Sequence, residues 1–160
     1  MDTTQKWLQT HQQRLACDFA GIACNVATDD KPKEIRWIYV AGNQSEAYKK
    51  IRLQIGRGIA GLVWKTARTQ LDENILEQPE KLIDYPIARL EKLQVALAAP
   101  VIKRKEVVAV LLLGYRQNHQ FTRTEREQLE KLASELSELF EEDQDDSISF
   151  IIVSTYPRSA

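Results

Sequence analysis

Two apolar runs, Val95 to Ile102 (VALAAPVI) and Val107 to Gly114 (VVAVLLLG), are separated only by Lys103-Arg104-Lys105-Glu106. Each has the length of a strand, and neither approaches the roughly 18 residues of a membrane span. Four intervening residues cannot supply the dozen or more that a parallel crossover takes, so the two runs must pair as an antiparallel hairpin. The rest of the chain has to cover that hairpin.

Residues 4–16 place Trp7, Leu8, His11 and Leu15 at helical spacing, with Phe19 next in register, which predicts a first amphipathic helix. Phe19 to Ala27 turns to short β-prone runs, and Thr28 to Pro32 reads as a turn. Ile35 to Val40 (IRWIYV) alternates and is rich in β-branched and aromatic residues, a strand pattern; Ile51 to Ile55 alternates again. A glycine-rich segment then opens a short helix through Leu62, Val63, Trp64 and Ala67. Residues 68–94, punctuated by Pro79 and Pro86, read as a long, partly helical excursion, a length of weak structure that is often functional. Thr122 with Glu125 forms a capping box, and Leu129, Leu132, Ala133, Leu136, Leu139 and Phe140 follow at three- and four-residue steps. These elements predict an α+β domain with one central antiparallel sheet, the first and last helices together on one face. The last stripe resembles a heptad seam over about two and a half repeats, short of the three or four that specify a coiled coil. A homodimer through the terminal helices is therefore an open expectation.

A chain of 160 residues is one domain's worth of protein, and its burial needs no metal or disulfide staple. The domain is expected over residues 1–146. A tail over 147–160 (SISFIIVSTYPRSA) is β-prone and of unassigned role: an added edge strand, a partner-binding tail or an appendix. The net charge of −1 leaves no electrostatic footprint for nucleic acid. Charge is uneven, with 18 basic and 13 acidic residues over 1–121 against 3 and 10 over 122–146. That acidic end reads first as a solvated helix face followed by a polar linker, with a partner-docking surface as the alternative. No signal peptide or membrane span is expected, and two cysteines make no secreted scaffold, so the expected location is the cytoplasm.

Little in the chain looks catalytic. His11 and His119 have no ligand spacing to Cys17 or Cys24, so no metal site is expected, and the cysteines read as small buried hydrophobes. No G-x-S-x-G elbow occurs. Gly56-Arg57-Gly58-Ile59-Ala60-Gly61 does match G-x-G-x-x-G, with Asp72 sixteen residues after Gly56. A dinucleotide site would need repeated βαβ units, which hairpin-like neighbours exclude. The local physics outlasts that motif. Glycines admit the chain tightly into a helix whose first N–H groups carry a partial positive charge and bind anions without cationic side chains. Apolar Ile59, Ala60, Leu62 and Val63 around it suit a small, weakly hydrated monovalent anion better than phosphate or sulfate. On these residues alone the segment reads equally as a helix packed tightly on a sheet, and Arg57 as a ligand or a solvent-facing turn residue.

The blocks IGRGIAGLVWKT, LAAPVIKRKEVVAVLLLGYR and FTRTEREQLEKLASELS resemble a GAF domain, the small-molecule sensor fold related to PAS, over roughly residues 16–142. RWIYVAGNQSEAYKKI and DYPIARLEKLQVALAAPV extend the resemblance to stand-alone GAF nitrate receptors of the NreA type. It implies a ligand pocket on the sheet face opposite the terminal helices. Nitrate would be held there by the helix start Gly58, Ile59, Ala60 and Gly61, with Trp37 as aromatic wall and Tyr85 and Ile87 closing over it. It further implies a non-enzymatic receptor with no cofactor, acting on a cytoplasmic sensor histidine kinase in nitrate-respiration signalling. The tail 147–160 departs from the family pattern. Two other GAF readings compete: a free methionine-R-sulfoxide reductase, which would need cysteines around the pocket, and a cyclic-nucleotide module, which would need cations for a phosphate.

Overall fold

The computed structural model describes residues 2–142; the tail expected at 147–160 lies outside the described residues. The elements are α1 (Thr3–Leu15), β1 (Phe19–Asn25), β2 (Ile35–Ala41), α2 (Gly58–Thr66), β3 (Gln70–Asp72), α3 (Pro79–Asp84), α4 (Pro86–Glu91), β4 (Val95–Lys103), β5 (Glu106–Tyr115) and α5 (Arg123–Glu142), with 3₁₀ turns at Ala47–Lys50 and Ile75–Glu77. The five strands form one sheet in the order β2-β1-β5-β4-β3, every neighbour antiparallel. The β4–β5 hairpin is its centre, and its runs are apolar throughout because both faces are covered.

One face carries the terminal helices. Leu8 of α1 and Leu129, Leu132, Ala133, Leu136 and Phe140 of α5 pack with Ile22, Leu97, Leu111 and their neighbours. The stripe that resembles a heptad seam is thus committed to the domain's own sheet, and that is a sufficient reason for its spacing. The opposite face buries Ile59, Ala60 and Val63 of α2 with Ile75, Tyr85, Ile87 and Ala88 of the 68–94 excursion. Both cysteines lie in the first layer, buried.

Two details depart from the sequence pattern. Residues 51–55 make only a single bridge, Leu53 to Ile35, with Ile35 N donating to Leu53 O at 2.8 Å and Leu53 N to Ile35 O at 3.0 Å. Strand β2 carries a bulge: Ile22 opposes Tyr39 and Ala23 opposes Trp37, which leaves Ile38 as the extra residue. Strict alternation would set Ile35, Trp37, Tyr39 and Ala41 on one face. The bulge divides them, Ile35 and Trp37 going to the α2 side and Tyr39 and Ala41 to the terminal-helix side.

Candidate functional site

The start of α2 is built by its glycines. Gly56 and Gly58 adopt φ of 89° and 67°, the left-handed region that favours glycine. A Cβ on Gly61 would lie 2.5 Å from the Gln54 carbonyl oxygen, so only glycine lets the helix close on the preceding turn. That turn is tied by Gly56 N to Gly61 O at 2.8 Å and Arg57 N to Gln54 O at 3.0 Å.

Arg57 occupies the N-cap position without a side-chain bond to the helix, and its side chain is exposed. The other long helices are capped by their own sequences. Asp2 accepts from Thr4 N at 2.7 Å in α1, and Thr122 and Glu125 exchange bonds of 2.8 and 3.1 Å at the head of α5. In α2 the amides of Gly58, Ile59 and Ala60 donate to no carbonyl or side chain among the described residues. All three residues are buried. Buried main-chain donors without an acceptor are rare, and three at the positive end of a helix dipole have the chemistry to donate hydrogen bonds to an anion.

The surroundings come from three other segments. A Cβ on Gly58 would sit 3.7 Å from the Asp84 carbonyl oxygen, so the helix start lies against the Asp84–Tyr85 peptide. Tyr85 ends α3, its N donating to Lys81 O at 2.8 Å, and begins α4, its O accepting from Arg89 N at 3.1 Å. Pro86 enforces that break, because the residue before a proline is driven out of the helical region. Trp37 is wholly buried, two residues from the Ile35–Leu53 bridge that leads the chain into α2. Its ring lies over Gly21 of β1, where a Cβ would come within 2.9 Å of the indole.

Trp37, Ile59, Ala60, Tyr85 and Ile87 therefore share one buried apolar cluster with α2's uncapped start. Gly58 and Gly61 frame it through the main chain. Gly21, which makes room for the indole, escaped sequence reasoning; a glycine inside a strand was the available signal. Charges stand at the margin. Asp72, 3% exposed, accepts from Lys81 Nζ at 3.0 Å and Gln70 Nε2 at 3.2 Å. Burial, with the Asp72 carboxylate beside the hydroxyl, pushes Tyr85 up to about 12, so its phenol is neutral at physiological pH.

The sulfur chemistry lies elsewhere. Cys17 and Cys24 belong to the terminal-helix layer, across the sheet from Trp37, and burial pushes both thiols up to about 12. Neither can reach a ligand beside α2 as a thiolate nucleophile. His119 stacks on Tyr115 at 3.7 Å and pairs with Glu125 at 2.9 Å, and His11 sits beside Arg14 at 2.9 Å. Among the described residues no group of three His, Cys, Asp or Glu could hold a metal, and no helix is long and apolar enough to cross a membrane.

These raised values set an alkaline limit. Unfolded cysteine and tyrosine lose their protons near 9.0 and 10.0, whereas Cys17, Cys24, Tyr85 and Tyr115 in the fold hold theirs until about 12. The unfolded chain therefore binds fewer protons over that window, and stability falls as pH rises through it. The urea midpoint is expected to be flat from about pH 7 to 8.5 and to decline steadily above about pH 9. A midpoint unchanged at about pH 11 would contradict the burial assigned to these groups.

The family model for the GAF domain matches residues 3–141. The chain belongs to the GAF domain family. Among solved structures it is similar to the Staphylococcus aureus protein SA1058, described as hypothetical, at 35% identity and TM-score 0.70, covering 76% of this chain and 99% of that one. It is also similar to S. aureus NreA mutated in its nitrate binding site, at 35% identity and TM-score 0.69, covering 75% and 88%. The free methionine-R-sulfoxide reductase of Neisseria meningitidis, at 19% identity, TM-score 0.71 and coverage of 89% and 78%, shares the GAF fold alone. No curated protein matches the chain.

Proposed function

We propose that this GAF domain is a nitrate receptor and that nitrate binds at the start of α2. The observation that carries the reading is the group of three buried, uncapped amides at Gly58, Ile59 and Ala60 within a cluster walled by Trp37, Tyr85 and Ile87. A flat monovalent oxyanion accepts from several such amides while its faces rest on hydrocarbon and indole. Sulfate or phosphate would bring a second charge into a cluster that contains no cationic side chain to answer it. Similarity to NreA, whose structure is described by its nitrate binding site, supports the same ligand.

The receptor is non-enzymatic and carries no cofactor. Its output is regulation of a cytoplasmic sensor histidine kinase: the nitrate-free form restrains autophosphorylation and nitrate lifts the restraint. Nitrate achieves this only through different affinities for the free and kinase-bound domain, since equal affinity shifts no equilibrium. A dipole contribution of about 0.3–2 kcal/mol and a few charge-assisted bonds set the affinity at roughly micromolar to millimolar.

Calorimetric titration of the purified protein with sodium nitrate, nitrite, chloride and sulfate tests the reading. Saturable heat with nitrate, weaker heat with nitrite or chloride and none with sulfate is the expected order. Sulfate binding at least as well as nitrate, or heat only with methionine sulfoxide or a cyclic nucleotide, would replace the assignment.

A further inference from the structure

Glu91 ends α4 with a side chain that is wholly buried. A carboxylate there meets the negative end of the helix dipole and loses its hydration, an unfavourable position unless a cation answers it. Arg116, just beyond β5, does so. Its Nη2 donates to Glu91 Oε1 at 2.6 Å and its Nε to the Glu91 main-chain oxygen at 2.8 Å, which also caps the helix.

The same guanidinium donates to Asp18 O at 3.2 Å and Gly42 O at 3.0 Å, and Arg116 N donates to Asp18 Oδ2 at 2.7 Å. Gln44 N adds a bond to Glu91 Oε1 at 2.9 Å. The start of β1, the end of β2, the end of β5 and the end of α4 thus meet at one pair of charges. The function proposed above uses neither of them.

The geometry of α4 links that pair to the site. A helix of six residues does not hold its own shape in water. Its buried residues are Ile87, Ala88 and Glu91, and Ile87 and Glu91, four apart, share one face. Any rotation that withdraws Glu91 from Arg116 turns Ile87 out of the cluster and drags Tyr85, the residue at the head of α4. We propose that Glu91 and Arg116 are positioning residues for the anion site, their buried ion pair setting the rotation of α4 that places Ile87 and Tyr85 against the start of α2. The proposal rests on the receptor reading and adds to it which residues outside the apolar cluster determine affinity.

The test compares nitrate affinity with thermal stability in the full chain. Glu91→Gln keeps the shape and removes the charge; E91L/R116M replaces the pair by apolar groups, an exchange that buried ion pairs commonly tolerate. Leu136→Ala, in the α5 layer across the sheet, is the control for lost stability without displaced α4. Glu91→Gln and E91L/R116M are each expected to raise the nitrate Kd about tenfold or more, the low end of what losing an outer-shell partner costs a metal site. Leu136→Ala should lower Tm by at least as much and leave Kd unchanged, and Arg116→Lys should fail to rescue because one ammonium cannot serve Glu91, Asp18 and Gly42 together. Wild-type Kd in E91L/R116M, or an equal loss in Leu136→Ala, overturns the proposal. If the wild-type protein gives no heat with nitrate, the receptor reading itself fails, a result read before any variant is made.

Discussion

Aspartate in place of Ala60 is expected to abolish nitrate binding, raising Kd by at least about 100-fold, or about 2.7 kcal/mol. Ala60 is the third residue of α2 and wholly buried, so a carboxylate placed there has no route to water. It lies instead within reach of the amides of Gly58, Ile59 and Ala60, which have no acceptor of their own. Those donors and the helix dipole take up part of the burial penalty, and the new side chain becomes an internal anion where nitrate is proposed to bind. The domain should fold with a lowered Tm. Ala60→Asn, of equal size and no charge, separates filling from repulsion, since it blocks space without competing as an anion. Calorimetry should find A60N clearly better than A60D at low nitrate occupancy. Equal loss in both would mean that shape alone decides, and the role given to main-chain charge would be wrong.

How far such a site can be read from sequence depends on whether its parts are local. The α2 start is local: glycines at 56, 58 and 61 followed by an apolar helix encode both the tight entry and the missing cap. The hairpin and α5 are local in the same sense, one through its short connection and the other through its capping box and stripe. Strand β3 has only Gln70 to Asp72 and no pattern of its own; it is a strand because β4 offers an edge, Leu71 facing Leu97. The bulge at Ile38 is equally invisible, since IRWIYV alternates on paper and only pairing with β1 shifts the register. Glu91 and Arg116 are 25 residues apart and look like ordinary surface charges until β5 returns beside α4. Trp37, Tyr85 and Ile87 are an intermediate case. Their burial follows from the fold, but their gathering beside one helix start came from family resemblance, because periodicity alone makes Trp37 a core residue.

Trp37→Ala should give the other large effect, and on two quantities at once. The indole is fully buried between the β1–β2 ladder and the cluster beside α2, and it fills the space left by Gly21. Truncating a buried tryptophan costs about 3–5 kcal/mol, because little of so large a void can collapse. A domain of ordinary stability survives that loss, with Tm lowered by roughly 10 °C. The proposed anion site should suffer further. In the proposed site the indole is a wall; without it water should reach the ligand, and hydrated donors bind a weakly hydrated anion poorly, so nitrate Kd should rise by about tenfold or more. Trp37→Phe separates the two contributions. Phenylalanine keeps an aromatic wall while leaving part of the indole's volume empty, so it should lose stability yet retain most of the affinity. If nitrate binds Trp37→Ala as tightly as wild type while Tm falls as expected, the tryptophan is a core residue only. The anion would then have to be sought nearer Tyr85, on the side of α2's start that faces the Asp84–Tyr85 peptide.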